Sequence, residues 1–111
     1  MSVFAFGTPM NATSAASASS LVLRSVPGRV DIVQANTGAT PGWVMLHDAA
    51  AAPANGAVTP ILVWQVAANS TLTAGFDPPV QCETGAVLTF STTGPTTLTL
   101  SATAWFGGRA Q

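Results

Sequence analysis

The chain has 111 residues and a net charge of -1, enough length for one domain with a real core, but only 6% of its residues are charged and none is lysine. Soluble domains average about 25% charged residues and use mixed surface charge and edge lysines to keep neighbours apart, so the deficit predicts that partner molecules cover much of this surface. Three scattered arginines, Arg24, Arg29 and Arg109, exclude the cationic cluster that nucleic acid requires, and no apolar run of about 18 residues exists to span a membrane.

Residues 1–14 combine Phe4, Phe6, Pro9 and Met10 with small polar residues. That mixture is too apolar for a solvated tail and too irregular for a core strand, which predicts an extended N-terminal arm lying on a neighbour, with Phe4 and Phe6 as contacts. The alternative is an N-terminal strand or frayed end on its own domain. The segment has no basic n-region, and Cys82 stands alone, which excludes an internal disulfide and leaves only an intermolecular one. Both features fit a protein made and assembled in a cytoplasm.

Residues 15–111 read as a single all-β domain, a β-sandwich of about eight short antiparallel strands. Thr, Ser, Ala and Val dominate, Gly and Pro recur at short intervals, and no helical period is sustained. Strands are predicted at 15–24, 28–35, 42–48, 59–67, 70–76, 79–82, 85–91 and 96–106, separated by the turn signals "PG" at 27 and 41, "NG" at 55, "ANS" at 68, "DPP" at 77 and "TTGP" at 92.

Within these strands little points to catalysis. His47 and Asp48 are adjacent, and adjacent strand residues face opposite ways, so an orienting hydrogen bond between them is not expected. Cys82 beside Glu83 reads as a small buried apolar group rather than a nucleophile. One His, one Cys and four carboxylates spread from 31 to 83 give no metal-ligand spacing, and no helix follows a Gly-rich loop to cradle phosphate. The triplets "NAT" at 11 and "NST" at 69 match a glycosylation acceptor but are common by chance in such a chain. No catalytic residue, metal or cofactor is therefore expected, and the protein reads as something other than an enzyme. Trp43, Trp64 and Trp105 leave a carbohydrate-binding module open, although "GWVML" and "ILVWQV" read first as core or interface packing.

The last strand is the most informative. Leu98, Leu100, Ala102, Ala104 and Phe106 alternate with Thr97, Thr99, Ser101, Thr103 and Trp105. The even set is expected to fill the core beside Ala86, Leu88 and Phe90 on a neighbouring strand. The odd set, with Thr99, Ser101, Thr103 and Trp105, is expected to meet another subunit, a solvated hydroxyl face being the alternative.

The phrases "PANGAVTPILVWQVAANSTLTAGFDPPV", "GAVLTFSTTG" and "TLTLSATAWFGG" resemble small all-β proteins encoded among the virion structural genes of tailed bacteriophages and in prophages. The resemblance covers about the C-terminal two thirds of the chain and implies a capsid decoration protein. Such a protein is present in many copies over the joints between major capsid subunits and is often trimeric, so the expected partners are the major capsid protein and further copies of this chain, in a homo-oligomer with a trimer as the expected state. The expected location is the capsid surface of the virion. No site residue is carried over by the resemblance. A tail or fibre receptor-binding module and a sugar-binding β-sandwich are the other readings.

Overall fold

The computed structural model describes residues 10–13 and 17–111. Among the described residues ten strands run in chain order: β1 (Met10–Thr13), β2 (Ser20–Arg24), β3 (Gly28–Thr37), β4 (Gly42–His47), β5 (Gly56–Ala57), β6 (Leu62–Val66), β7 (Thr71–Cys82), β8 (Ala86–Ser91), β9 (Thr97–Leu98) and β10 (Ala104–Ala110). They form two four-stranded antiparallel sheets, in the orders β1-β10-β3-β7 and β2-β8-β4-β6, and a two-stranded ribbon, β5-β9. The fold is all-β and sandwich-like, as the short strands and frequent turn residues predict. We call the two larger sheets A and B.

Alternation along the strands builds the core between A and B. Val30, Val33, Ala35, Ala104, Phe106 and Ala110 of sheet A meet Val44, Leu46, Val66, Ala86, Leu88 and Phe90 of sheet B in one buried cluster. Trp64 and Phe76, with ring centroids 6.2 Å apart, close the side where β6 and β7 end their sheets.

The predicted strand 96–106 is two strands with different partners. Leu98 pairs with Gly56 in the ribbon, whereas Trp105 pairs with Asn36 in sheet A, so the chain leaves the ladder over 99–103 to cross between layers. For the same reason β10 is not a ladder neighbour of β8. Phe106 and Ala104 face Leu88 and Phe90 across the sandwich, from opposite sheets.

The predicted strands 70–76 and 79–82 are instead one, because β3 pairs with both halves, Ile32 with Gly75 and Val30 with Val80, and residues 76–79 bulge opposite Asp31. Pro78 and Pro79 sit in that bulge on an edge strand, where no ladder donor is required of them. Of the strand predicted at 15–24, residues 20–24 form β2, preceded by a bridge from Ala18 to Ala104, and residues 15 and 16 lie outside the described residues. Of the two alternatives for residues 1–14, a strand on its own domain is realised at Met10–Thr13, which extends sheet A beside β10. The sandwich therefore reaches back at least to Met10 rather than starting at residue 15; residues 1–9 and 14 lie outside the described residues.

Sheet B is covered on its outer side as well. Met45, Val87 and Leu98 are fully buried but do not belong to the main cluster, and Thr89 and Ser91, which point away from that cluster, are also at 0% exposure. A third layer, built from residues 49–61 and 92–103, supplies the cover. It is pinned where Ser91 Oγ donates to the Thr97 carbonyl at 2.7 Å and accepts from the Thr99 N–H at 3.1 Å, and where Asn55 Oδ1 accepts from the Leu100 N–H at 2.9 Å.

If this layer is a true second core, Leu98→Ala should cost about 2–5 kcal/mol in urea unfolding, the range for a buried leucine and comparable with Leu88→Ala in the main core. A loss below about 1 kcal/mol would contradict a packed third layer.

Candidate functional site

Among the described residues nothing comparable covers the outer side of sheet A. Register aligns its outward residues in three rows: Trp105, Asn36 and Thr71; Gly107, Gln34 and Thr73, with Thr13 beyond Gly107; and Arg109, Ile32 and Gly75. Strand alternation fixes this arrangement, because the residues between them, Val33, Ala35, Ala104 and Phe106, are buried. Seven of these ten residues carry a hydroxyl, an amide or no side chain, and a shallow hollow of about 460 Å³ lies among Thr13, Ile32, Gln34, Thr73, Gly108 and Arg109. Thr71 Oγ1 donates to Asn36 Oδ1 at 2.7 Å. Charge enters these rows only with Arg109, whose Nε and Nη2 lie 3.0 Å from Asp31 Oδ2; the pair is bidentate and self-neutralising, and it raises the arginine pKa further. Trp105 is 49% exposed and Ile32 37%, at opposite ends of the face.

The expected interface residues are divided by this geometry. Trp105 stands on the outer face of sheet A. Thr99 and Ser101 belong to the third layer, where Thr99 Oγ1 lies 2.8 Å from Thr93 Oγ1 and Ser101 Oγ lies 2.9 Å from Thr92 Oγ1. Thr103 is exposed on the connection between them. The row of hydroxyls therefore does not continue into Trp105, since the strand that would align them is interrupted. Phe4 and Phe6 lie outside the described residues. Gln34, Asn36, Thr71 and Thr73 were not singled out from the sequence, although their alternation with buried neighbours along 33–37 and 71–76 carried the signal.

The groups with chemical potential are occupied structurally. His47 is buried beneath the third layer with Nε2 2.7 Å from Thr89 Oγ1, and burial lowers its pKa below the ordinary 6.5. Asp48 points away from it and accepts from the N–H groups of Glu83, Thr84 and Gly85 at 3.0, 2.8 and 3.3 Å; these bonds hold its pKa below the ordinary carboxylate value. The cap needs Gly85, where a Cβ would meet the carbonyl oxygens of Ala49 and Arg24 at 2.6 and 2.7 Å. Cys82 is 4% exposed, and burial, with the nearby Asp48 charge, pushes its thiol up to about 11. A protonated, buried sulfur is neither a nucleophile nor accessible to an intermolecular disulfide. Among the described residues no three His, Cys, Asp or Glu side chains are grouped to hold a metal ion.

On sheet B the third layer stops short of one end and leaves a cleft of about 630 Å³ lined by Pro41, Gly42, Trp43, Gln65, Val66, Ala67 and Thr92. Trp43 and Gln65 face each other across β4 and β6. Gly42 lets β4 enter beside β8, since a Cβ there would collide with the Ser91 carbonyl oxygen and the Phe90 ring.

No protein-family model matches the chain, and neither the curated proteins nor the solved structures yield a match.

His47 gives a pH test. The unfolded chain takes up a proton near 6.5 while the folded state resists it, so the stability that neutral His47 contributes is complete above that value and is lost as pH falls from it toward the lowered folded pKa. The thermal midpoint should be level above about pH 7 and fall between about pH 6.5 and 5, a window above that in which carboxylates titrate. His47→Gln, which can still bond Thr89, should remove that fall. A wild-type midpoint constant over the window, or an equal fall in the variant, would contradict the assignment.

Proposed function

We propose that this protein is a structural component of a virus particle, a capsid decoration protein that docks in many copies on the head of a tailed bacteriophage and associates with itself, with a trimer as the expected state. The observation that carries the proposal is the outer face of sheet A: mostly small or neutral polar residues, uncovered among the described residues, and without a net charge across three strand rows. Threonine and glycine lose little side-chain freedom when a surface closes on them, and amides and hydroxyls can be re-satisfied by a facing backbone or side chain. Trp105 and Ile32 supply the apolar area that such an interface concentrates at its anchors. The sequence resemblance to phage structural proteins supports the same reading, as does the absence of lysine from every exposed strand edge. The role is mechanical: the protein contributes contact area across joints in the shell, and no bond is made or broken.

Light scattering of the isolated protein should give a mass that is a multiple of 11.1 kDa. Gln34→Lys, at the centre of the face, should leave the fold within about 0.5 kcal/mol of wild type but weaken association at least about tenfold, because closure would bury an unpaired ammonium. Wild-type association by the variant would contradict docking through this face. Particles purified from cells that carry the gene, imaged with a labelled copy, should show label over the head. Label confined to the tail tip would replace decoration with receptor recognition, and unlabelled particles would remove the virion role.

A further inference from the structure

We infer that the cleft beside Trp43 is a binding site for a neutral carbohydrate, with a pyranose ring laid over the indole. The site goes beyond the assembly proposal and is independent of it, since it lies on sheet B and the docking face on sheet A.

The cleft is a consequence of layering. The third layer buries Met45, His47, Val87, Thr89 and Ser91 on the outer side of sheet B, but at the first residues of β4 it gives way, leaving Trp43 half-buried and Gln65 exposed. The step from the third layer down to the bare sheet forms a wall at Thr92, and Trp43 lies at its foot. A volume of about 630 Å³ is within the range of small-molecule sites.

The chemistry of the lining selects the ligand. None of the lining residues is titratable, so the site offers no cation to a phosphate, sulfate or uronate and no anion to an amine. What it offers is an aromatic plane beside polar groups. The Trp43 indole N–H and the Gln65 amide make no hydrogen bond to any described residue, and the two side chains are directly opposed in the β4/β6 register. An amide provides donors and an acceptor together, which suits the vicinal hydroxyls of a sugar. The Thr92 hydroxyl, 2.9 Å from Ser101 Oγ, retains capacity for a further bond. A pyranose matches this pattern, with an apolar C–H face for the indole and hydroxyls around its rim.

The other tryptophans fit less well. Trp64 is packed on the main core against Phe76. Trp105 is exposed on the outer face of sheet A, outside this cleft. An aromatic groove can also take a polyproline helix, but the unpartnered Gln65 amide, a donor and an acceptor together, favours a ligand with many hydroxyl groups.

The test is a ¹H–¹⁵N titration of the full chain with cellohexaose, maltohexaose, chitohexaose and a mannan oligosaccharide up to millimolar concentration, and separately with a proline decapeptide. At least one saccharide should move the Trp43 Nε1–H and Gln65 side-chain amide signals saturably while leaving Trp105 in place. Trp43→Ala should weaken that binding about tenfold or more. Because Trp43 also contributes packing, Gln65→Ala serves as the exposed second variant; it should keep the folded spectrum and still bind severalfold more weakly. No saccharide response, a response centred on Trp105, binding unchanged by Gln65→Ala, or a response to the proline peptide alone would each overturn the inference. Gln34→Lys, which tests assembly, should leave the saccharide shifts unchanged, so either proposal can fail without the other.

Discussion

Strand β8 is buried on both faces, and it holds two hydroxyl residues on the side away from the main core. Leaving a buried hydroxyl unpaired costs about 1–3 kcal/mol, so a chain that covers Thr89 and Ser91 must also supply their partners. It does so with His47 for Thr89 and with the backbone of Thr97 and Thr99 for Ser91. Among the described residues no buried side-chain nitrogen or oxygen lacks a partner. These bonds fix where residues 92–103 lie, and the placement of Leu98, the ribbon and the edge of the cleft follows from them. The third layer is thus pinned by polar bonds from Ser91, the last residue of β8, while Thr89 in the same strand is satisfied within sheet B by His47.

Covering sheet B leaves the molecule with two unlike outer faces. The exterior of B is largely consumed, while that of A is a bare strand surface among the described residues. Four of the seven charges reinforce this asymmetry by being engaged within the chain: Arg109 with Asp31, Asp48 with the turn at 83–85, and Arg24 Nε with the Pro27 carbonyl at 2.9 Å. None projects as an isolated charge from the middle rows of sheet A, where a desolvated ion would oppose docking. On the outer face of sheet A the one charge in the rows, Arg109, is neutralised by Asp31, so the face is without net charge.

Alternation made much of the sandwich legible. The runs at 28–35, 42–48 and 85–91 carry their period in the residues themselves, and each is a strand of the structure. What alternation does not encode is the partner. Leu98 and Phe106 have the same parity and both are buried, but in different cores, because the break at 99–103 contains no Gly or Pro to announce it. The prolines at 78 and 79 misled in the opposite direction: they read as a stop, whereas an edge strand can bulge around them. For the site, Trp105 was visible as an exposed aromatic. Gln34, Asn36, Thr71 and Thr73 were not, since their importance comes from lying side by side in register, a property of strand pairing between segments some 35 residues apart. The structural roles of His47 and Cys82 could be anticipated from their isolation.

The central claim is that the outer face of sheet A is covered when the protein is assembled and the Trp43 cleft is not. Hydroxyl-radical footprinting compares the two directly, because both surfaces carry a tryptophan that is accessible in the single chain. In assembled protein measured against dissociated protein, Trp105 should lose most of its oxidation while Trp43 keeps its own. Undiminished oxidation of Trp105 in the assembly, or protection of Trp43 in its place, would contradict the account.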